Sequence, residues 1–360
     1  MSDFTQQGTK VIQDAVKRLQ EAADKLGPPQ IDFLNRRSAL NMCAAVAVDA
    51  GQTLFGGSLR DAGIAVFQVA SSQEDDEPRI YPFWVSPSLP ELEKRKAVQE
   101  RLDEIVSTDE IVRDFVTAMH WNRVYDKDVM PPSCYQTAAA LCNFVRELLE
   151  WATLYKLAQN LQNATRIVDV GIQPVLLRDG TLRFDSMGED HARRLRELFK
   201  SVDVPILGVT KQSALVRSAI IRLWLAQHNF YRCEGGVVVK LDFEDFKNLG
   251  WQLDRYFGED GMRFGNYVLA RFDRMPGSRN IFAVDVPDYM MPDWDNVLVI
   301  LSGVGEHATA TAYPTPGYPV ALRKVHEKVA LTPDRVRLLE NTVRRSLGEE
   351  AYSMLKLLGM

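Results

Sequence analysis

"PVLLRDGTL" at residues 174–182 and "VPILGVT" at 204–210 decide the fold, because each opens as a short apolar run of strand length and each is followed by helical periodicity. The first is followed by a helix over 189–201, the second by "SALVRSAIIRLWLAQ" at 213–227. Strand, helix, strand, helix in that order predicts two adjacent parallel strands of one sheet.

Upstream, residues 44–49, 62–70 and 79–85 are strand-like, and the acidic stretch "SSQEDDEP" between the last two reads as a hairpin loop. Their order predicts an antiparallel meander. The first of them runs into "VAVDAGQT" at 46–53, where the strand is expected to stop at Asp49 before the small residues Ala50 and Gly51. From "PELEKRKAVQERLDEIV" through "RELLEWATLYKLAQNLQ" the pattern is helical, with a break near "MPPS" at 130–133.

Downstream of 235 the runs "GVVVKL", "YVLARF", "NIFAVDV" and "NVLVILSGV" read as short strands, and helices over roughly 318–330 and 333–347 close the chain. At the other end, Val11, Ile12, Ala15, Val16, Leu19, Ala22, Ala23 and Leu26 fall at helical spacing over 4–26, and "GPP" at 27–29 ends that helix. No fixed-period repeat and no Pro/Gly/Ser-rich linker divides the rest. The expected organisation is an amino-terminal helix and linker over 1–30, then one mixed α/β domain over 31–360 with a helical insertion at about 88–165.

The 360 residues are 46% hydrophobic, as in a globular protein with a substantial core, and carry 43 Lys and Arg against 48 Asp and Glu, a net charge of −5. That balance gives no global pull toward nucleic acid, so such a partner needs a local patch. One exists: residues 193–232 hold eight Lys or Arg against two acids, with Lys211, Arg217 and Arg222 the candidate phosphate contacts. Four cysteines without C-x-x-C spacing suggest neither a disulfide framework nor a zinc site and fit a reducing cytoplasm. No signal segment and no apolar run of membrane-spanning length is present, so no membrane association is expected.

Asp49 and Asp179 share a design: apolar strand, aspartate, small residues. On neighbouring strands the two carboxylates would offer hard oxygen donors to Mn²⁺ or Mg²⁺, and glycine beside each leaves room for a phosphate and for unusual backbone angles. Two ions flanking a phosphoryl centre ask for a third acid. The helix before Asp179 supplies Glu147 and Glu150; the helical wheel puts Glu147 on the apolar side and Glu150 near the polar side. Near the end, "YPTPGYPVALRKVHEKV" places Pro319 at a first helical position and His326 on the stripe of Leu322, Val329 and Ala330, with Tyr318 just before. His326 is a candidate general acid or ligand only where acids converge on it.

"VDAGQT" is also similar to the D-x-G-x-T phosphate loop of actin-like ATPases and sugar kinases, although no glycine-rich adenosine stretch and no P-loop accompanies it. The ordered series of Asp49 in "VAVDAG", Asp179 in "VLLRDGTL", Lys211 in "PILGVTKQS", and Tyr318 and His326 in "GYPVALRKVHEKV" resembles the NurA nuclease family over about residues 40–330. The first motif departs from the family's usual D-G-S, reading Asp49-Ala50-Gly51. The resemblance implies a ribonuclease-H-like mixed sheet flanked by helices, and Mn²⁺-dependent endonuclease and 5′-to-3′ exonuclease activity on DNA. It implies a homodimer partnered by a HerA-type hexameric ATPase in end resection or phage defence. It makes Asp49 and Asp179 metal ligands, His326 a further ligand or acid, and Tyr318 a neighbour of the scissile phosphate, leaving the glutamate open between Glu147 and Glu150. A scaffold of this family that only regulates its ATPase is the remaining expectation.

Overall fold

The computed structural model describes residues 2–34, 43–55, 63–73, 77–85, 91–127, 129–167, 173–183, 189–211, 213–241, 265–273, 275, 277–308 and 315–357. Residues 88–90 of the expected insertion lie outside them. Nine described strands form one sheet: β1 (Ile31–Phe33), β2 (Cys43–Phe55), β3 (Gly63–Ser71), β4 (Arg79–Val85), β5 (Gln173–Asp179), β6 (Ile206–Thr210), β7 (Val237–Lys240), β8 (Gly265–Arg271) and β9 (Phe282–Pro287). Their order is β1-β7-β8-β9-β6-β5-β2-β3-β4. β2, β5 and β6 run parallel, whereas β3 and β4 form the predicted antiparallel meander on β2. The segment β4-β3-β2-β5-β6 is therefore a ribonuclease-H-like core, which β9, β8, β7 and β1 extend in antiparallel fashion.

Side chains alternate across a strand, so the two sheet faces can be assigned residue by residue. Val48, Ala50 and Leu176 enter the core with the helical insertion: α2 (Glu91–Thr108), α3 (Glu110–Ala118) and α4 (Ala138–Ile167), joined there by α5 (Glu189–Val202). Asp109 starts α3 by accepting the Ile111 and Val112 amides, and the Thr137 hydroxyl accepts the Ala140 amide at the start of α4. The same face of β7, β8 and β9 is covered by α6 (Ala214–Arg217), α7 (Ala219–Gln227) and the end of α1 (Ser2–Ala23). Ala47, Val175, Leu177 and Val209 point to the opposite face, under α8 (Trp294–Glu306) and α9 (Val320–Val329). Helix α10 (Pro333–Leu357) follows.

Three sequence expectations need correction. The strand through Asp49 does not stop there: β2 continues to Phe55 and pairs with β3 from Val48 onward. "NVLVILSGV" is not a strand but the body of α8, since Asp293 caps it through the Asn296 amide and Val297, Ile300, Leu301 and Val304 are buried at helical spacing. A continuous apolar run does not distinguish a buried strand from a buried helix, and here the cap decided. Pro319 is the cap of α9, not its first helical residue. Helix α1, for its part, is buried only at its end: Ala23 and the following Leu26 pack near Trp224 of α7, whereas Val11 and Ile12 are 68% and 65% exposed.

Candidate metal centre

The parallel register places Val48 opposite Arg178, so the next residues, Asp49 and Asp179, stand side by side on adjacent strands. By alternation both project to the face covered by α9. That helix is held on β2 by buried Leu322, Val325 and Val329, each worth about 1.5–3 kcal/mol of burial. Its end is fastened by Lys328, which donates to the carbonyls of Ser71 and Gln73, and by Arg335, whose guanidinium caps the carbonyls of Lys328 and Ala330. Gly51 permits the approach: a Cβ there would stand 2.1 Å from the Val329 carbonyl oxygen. The glycine expected to make room for phosphate makes room for a helix.

On this helix His326 turns inward, and its Nδ1 lies 2.9 Å from Asp49 Oδ2. The other Asp49 oxygen accepts the Ala50 amide at 2.8 Å. Asp179 Oδ2 lies 3.2 Å from Lys211 Nζ at the end of β6, and the Tyr318 hydroxyl is hydrogen-bonded to Asp179. Lys211 also sits 4.6 Å over the Tyr318 ring. Tyr318 is fully buried against Phe282, with ring centroids 5.9 Å apart, and Gly317 (φ 84°) makes the turn before it.

Burial raises the Asp179 carboxyl above its usual range, the Asp49 charge adds to this, and Lys211 opposes it. His326 is raised mainly by its hydrogen bond to Asp49. Burial, and then the Asp179 charge, push the Tyr318 hydroxyl far up, so it remains a donor. One ligand atom from each of Asp49, Asp179 and His326 lies within 4.8 Å of the other two. An octahedral ion at about 2.1 Å holds adjacent ligand atoms about 3.0 Å and opposite ones about 4.2 Å apart, so side-chain rotation must draw this set together around an ion. Two carboxylates and an imidazole are donors suited to Mn²⁺.

Glu147 and Glu150 lie on the other face of the sheet. Both are buried, at 6% and 2% exposure, so the polar-side placement of Glu150 was wrong. Its reason is Arg178, a buried cation the wheel does not include: Arg178 Nη2 lies 2.7 Å from Glu150 and 3.9 Å from Glu147, and the guanidinium is 5.0 Å over the Trp151 ring. Burial raises the Glu150 carboxyl while Arg178 opposes it.

Two residues that the sequence reading passed over hold the loop after Asp179. Arg178 Nη1 donates to the carbonyls of Thr181 and Arg183, and buried Asp285 on β9 accepts the Leu182 amide at 2.8 Å. Gly180 makes the turn at φ 131°. The signal was available, since a charge inside "PVLLR" or "FAVDV" interrupts an apolar strand and must find a partner.

Lys211 thus joins the carboxylates instead of a separate surface. Arg217 and Arg222 are exposed on α6 and α7, just beyond it, while Arg196 is occupied by Asp288 at 2.8 Å and Arg193 by Asp190 at 3.3 Å. Among the described residues no helix is long and apolar enough to cross a membrane.

The sequence profile of the NurA domain matches residues 69–331. No curated protein matches. Among solved structures, the chain is similar to the NurA nuclease from Sulfolobus solfataricus, at 11% identity and a TM-score of 0.43 over 95% of each chain. It is also similar to a NurA bound to dAMP and manganese, at 12% identity and a TM-score of 0.37 over 92% of this chain and 94% of that one.

Proposed function

This chain belongs to the NurA family, and from that premise we propose that it is a metal-dependent DNA nuclease that hydrolyses phosphodiesters with Mn²⁺ or Mg²⁺ held by Asp49, Asp179 and His326. The observation that carries the reading is the convergence of these three side chains from β2, β5 and α9. When bound, such ions supply positive charge at the phosphoryl oxygens and activate the attacking water.

The chain's own groups do the rest. Asp49 and Asp179 present carboxylate oxygens from a rigid parallel pair of strands. Lys211 balances Asp179 and stands where an ammonium can meet a phosphate oxygen. Tyr318 keeps its proton and donates to Asp179, which fixes that carboxylate. Arg178 and Asp285 hold the turn behind it. Arg217 and Arg222 continue the positive charge away from Lys211 and are the proposed backbone contacts.

The finer expectations follow the family: endonuclease and 5′-to-3′ exonuclease action, a homodimer, and a HerA-type hexameric translocase as partner in DNA end processing or phage defence, in a cytoplasmic setting. The exposed apolar row Val11, Ile12 and Val16 on α1 offers a surface to a second copy or to the motor. The two other readings lose ground for specific reasons. A D-x-G-x-T phosphate loop needs a turn after the aspartate, whereas Asp49 lies inside a continuous strand. A catalytically dead scaffold has no use for three converging metal donors.

The deciding experiment is incubation of the purified chain with linear single- and double-stranded DNA in Mn²⁺, Mg²⁺ or EDTA. Cleavage that EDTA abolishes is expected. ATP turnover without cleavage, or a folded protein inert with both metals, overturns the reading.

A further inference from the structure

Three arginines from separate chain segments line one concave site of about 450 Å³: Arg222 of α7, Arg232 of the short turn Phe230–Arg232 that follows it, and Arg279 of the β8–β9 connection. Tyr231 and Leu223 supply an aromatic and an apolar wall, and among the described residues no acid lines the site. None of the three arginines is in an ion pair among the described residues, so their converging segments gather positive charge at one place.

The site is built, not draped. Arg222 Nε donates to the Val216 carbonyl at 2.8 Å, which orients its guanidinium. Buried Arg271 donates to the carbonyls of Tyr231, Cys233 and Gly235 and so fixes the backbone that carries Arg232. The Gly277 amide donates to the Tyr231 carbonyl at 2.7 Å, which ties the β8–β9 connection to the same turn.

That connection also reaches the metal centre. β6 ends at Thr210 opposite Ala283, so the start of β9 and the connection before it lie at the sheet edge from which Lys211 emerges. A Cβ on Gly317 would stand 2.9 Å from the Asp273 amide, so the connection packs beneath the turn that carries Tyr318. One loop therefore borders both the proposed catalytic edge and the arginine pocket.

The geometry points to this pocket as a second phosphate-holding site, which takes a backbone phosphate of single-stranded DNA away from the scissile one. Guanidinium forks match phosphate oxygens, and an aromatic side wall suits a sugar or an unstacked base. The inference rests on the nuclease reading for its substrate but not for its binding test. Binding of single-stranded oligonucleotides of about a dozen residues is measured in EDTA over a range of salt, for the wild type and for Arg232→Ala/Arg279→Ala, with thermal unfolding of both as a folding control.

Affinity should fall about tenfold on unrelated sequences alike, and the logarithmic salt slope should flatten by about 0.7 for each phosphate that the variant no longer holds. The milder pair Arg232→Gln/Arg279→Gln should give the same flattening and serves if the alanine pair is unstable. Unchanged affinity and slope in a folded variant overturn the pocket while leaving Mn²⁺-dependent cleavage by the wild type to support the nuclease. Arginine-dependent binding without cleavage keeps the pocket and sinks the nuclease. Absence of binding by the wild type overturns the pocket, while the cleavage experiment decides the nuclease. Saturation by dAMP that displaces the oligonucleotide in wild type alone shows a free-nucleotide site and overturns the backbone assignment.

Discussion

His326 Nδ1 and Asp49 Oδ2 lie 2.9 Å apart although 277 positions separate them in the chain. The contact joins the centre of β2 to α9 and places an imidazole beside two carboxylates, where a divalent ion can replace the proton that now bridges the pair.

A ligand that binds only the folded state raises its stability, by about 2.7 kcal/mol at a concentration one hundred times its Kd. Mn²⁺ should therefore raise the unfolding temperature of the wild type by several degrees, an order-of-magnitude expectation for a chain of this size. His326→Ala should lose most of that gain, measured by thermal unfolding with and without the metal. An equal gain in both proteins removes His326 from the ligand set.

Gly51→Ala should act on the same site from behind. The added methyl meets the Val329 carbonyl at 2.1 Å, so α9 must move away from β2 and carry His326 with it. Overpacking of this kind costs about 1–3 kcal/mol. A lowered denaturation midpoint together with weaker Mn²⁺ binding is expected; a stable variant with normal metal affinity contradicts the proposed use of Gly51.

Arg178→Met tests the other face. It leaves buried Glu150 with only Arg146, at 4.0 Å, and frees the carbonyls of Thr181 and Arg183, which should destabilise the fold by about 3 kcal/mol. Adding Glu150→Gln should restore part of that stability in a denaturant titration, because the poorly compensated charge is then gone. A single variant less than about 1 kcal/mol below wild type would show that the pair is not structural.

The sheet core was legible because its strands differ in context. "PVLLR" and "VPILGVT" are short, apolar and separated by a helix of strong periodicity, so their parallel pairing followed from chain order. Asp49 was legible as a candidate through its small neighbours but not as a mid-strand residue, since polar "GQT" masks a strand whose pairing with β3 is what sustains it. Glu150 was misplaced because a helical wheel treats one helix alone. Its burial depends on Arg178, which arrives 28 residues later from another element. His326 was legible as an inward residue; that it meets Asp49 depends on how α9 crosses β2, and no local pattern encodes a crossing.

The carboxylates themselves make the sharpest test. Asp49 and Asp179 stand on paired strands, and burial, then repulsion by the Asp49 charge, raises the cost of ionising Asp179. A divalent ion relieves that repulsion, so both charges are needed at once. Asp179→Asn keeps the shape and the Tyr318 contact but removes one charge, and should abolish Mn²⁺-dependent cleavage while the protein stays folded. Asp49→Asn should do the same and also loosen His326. The double variant should be no worse than either single one, because groups that act as one unit are strongly non-additive. DNA binding should persist in all three, since replacing a carboxylate lowers its repulsion of the phosphate. Near-wild-type cleavage by a folded Asp179→Asn protein would mean that the ion is held elsewhere and that Asp179 serves only as the partner of Lys211.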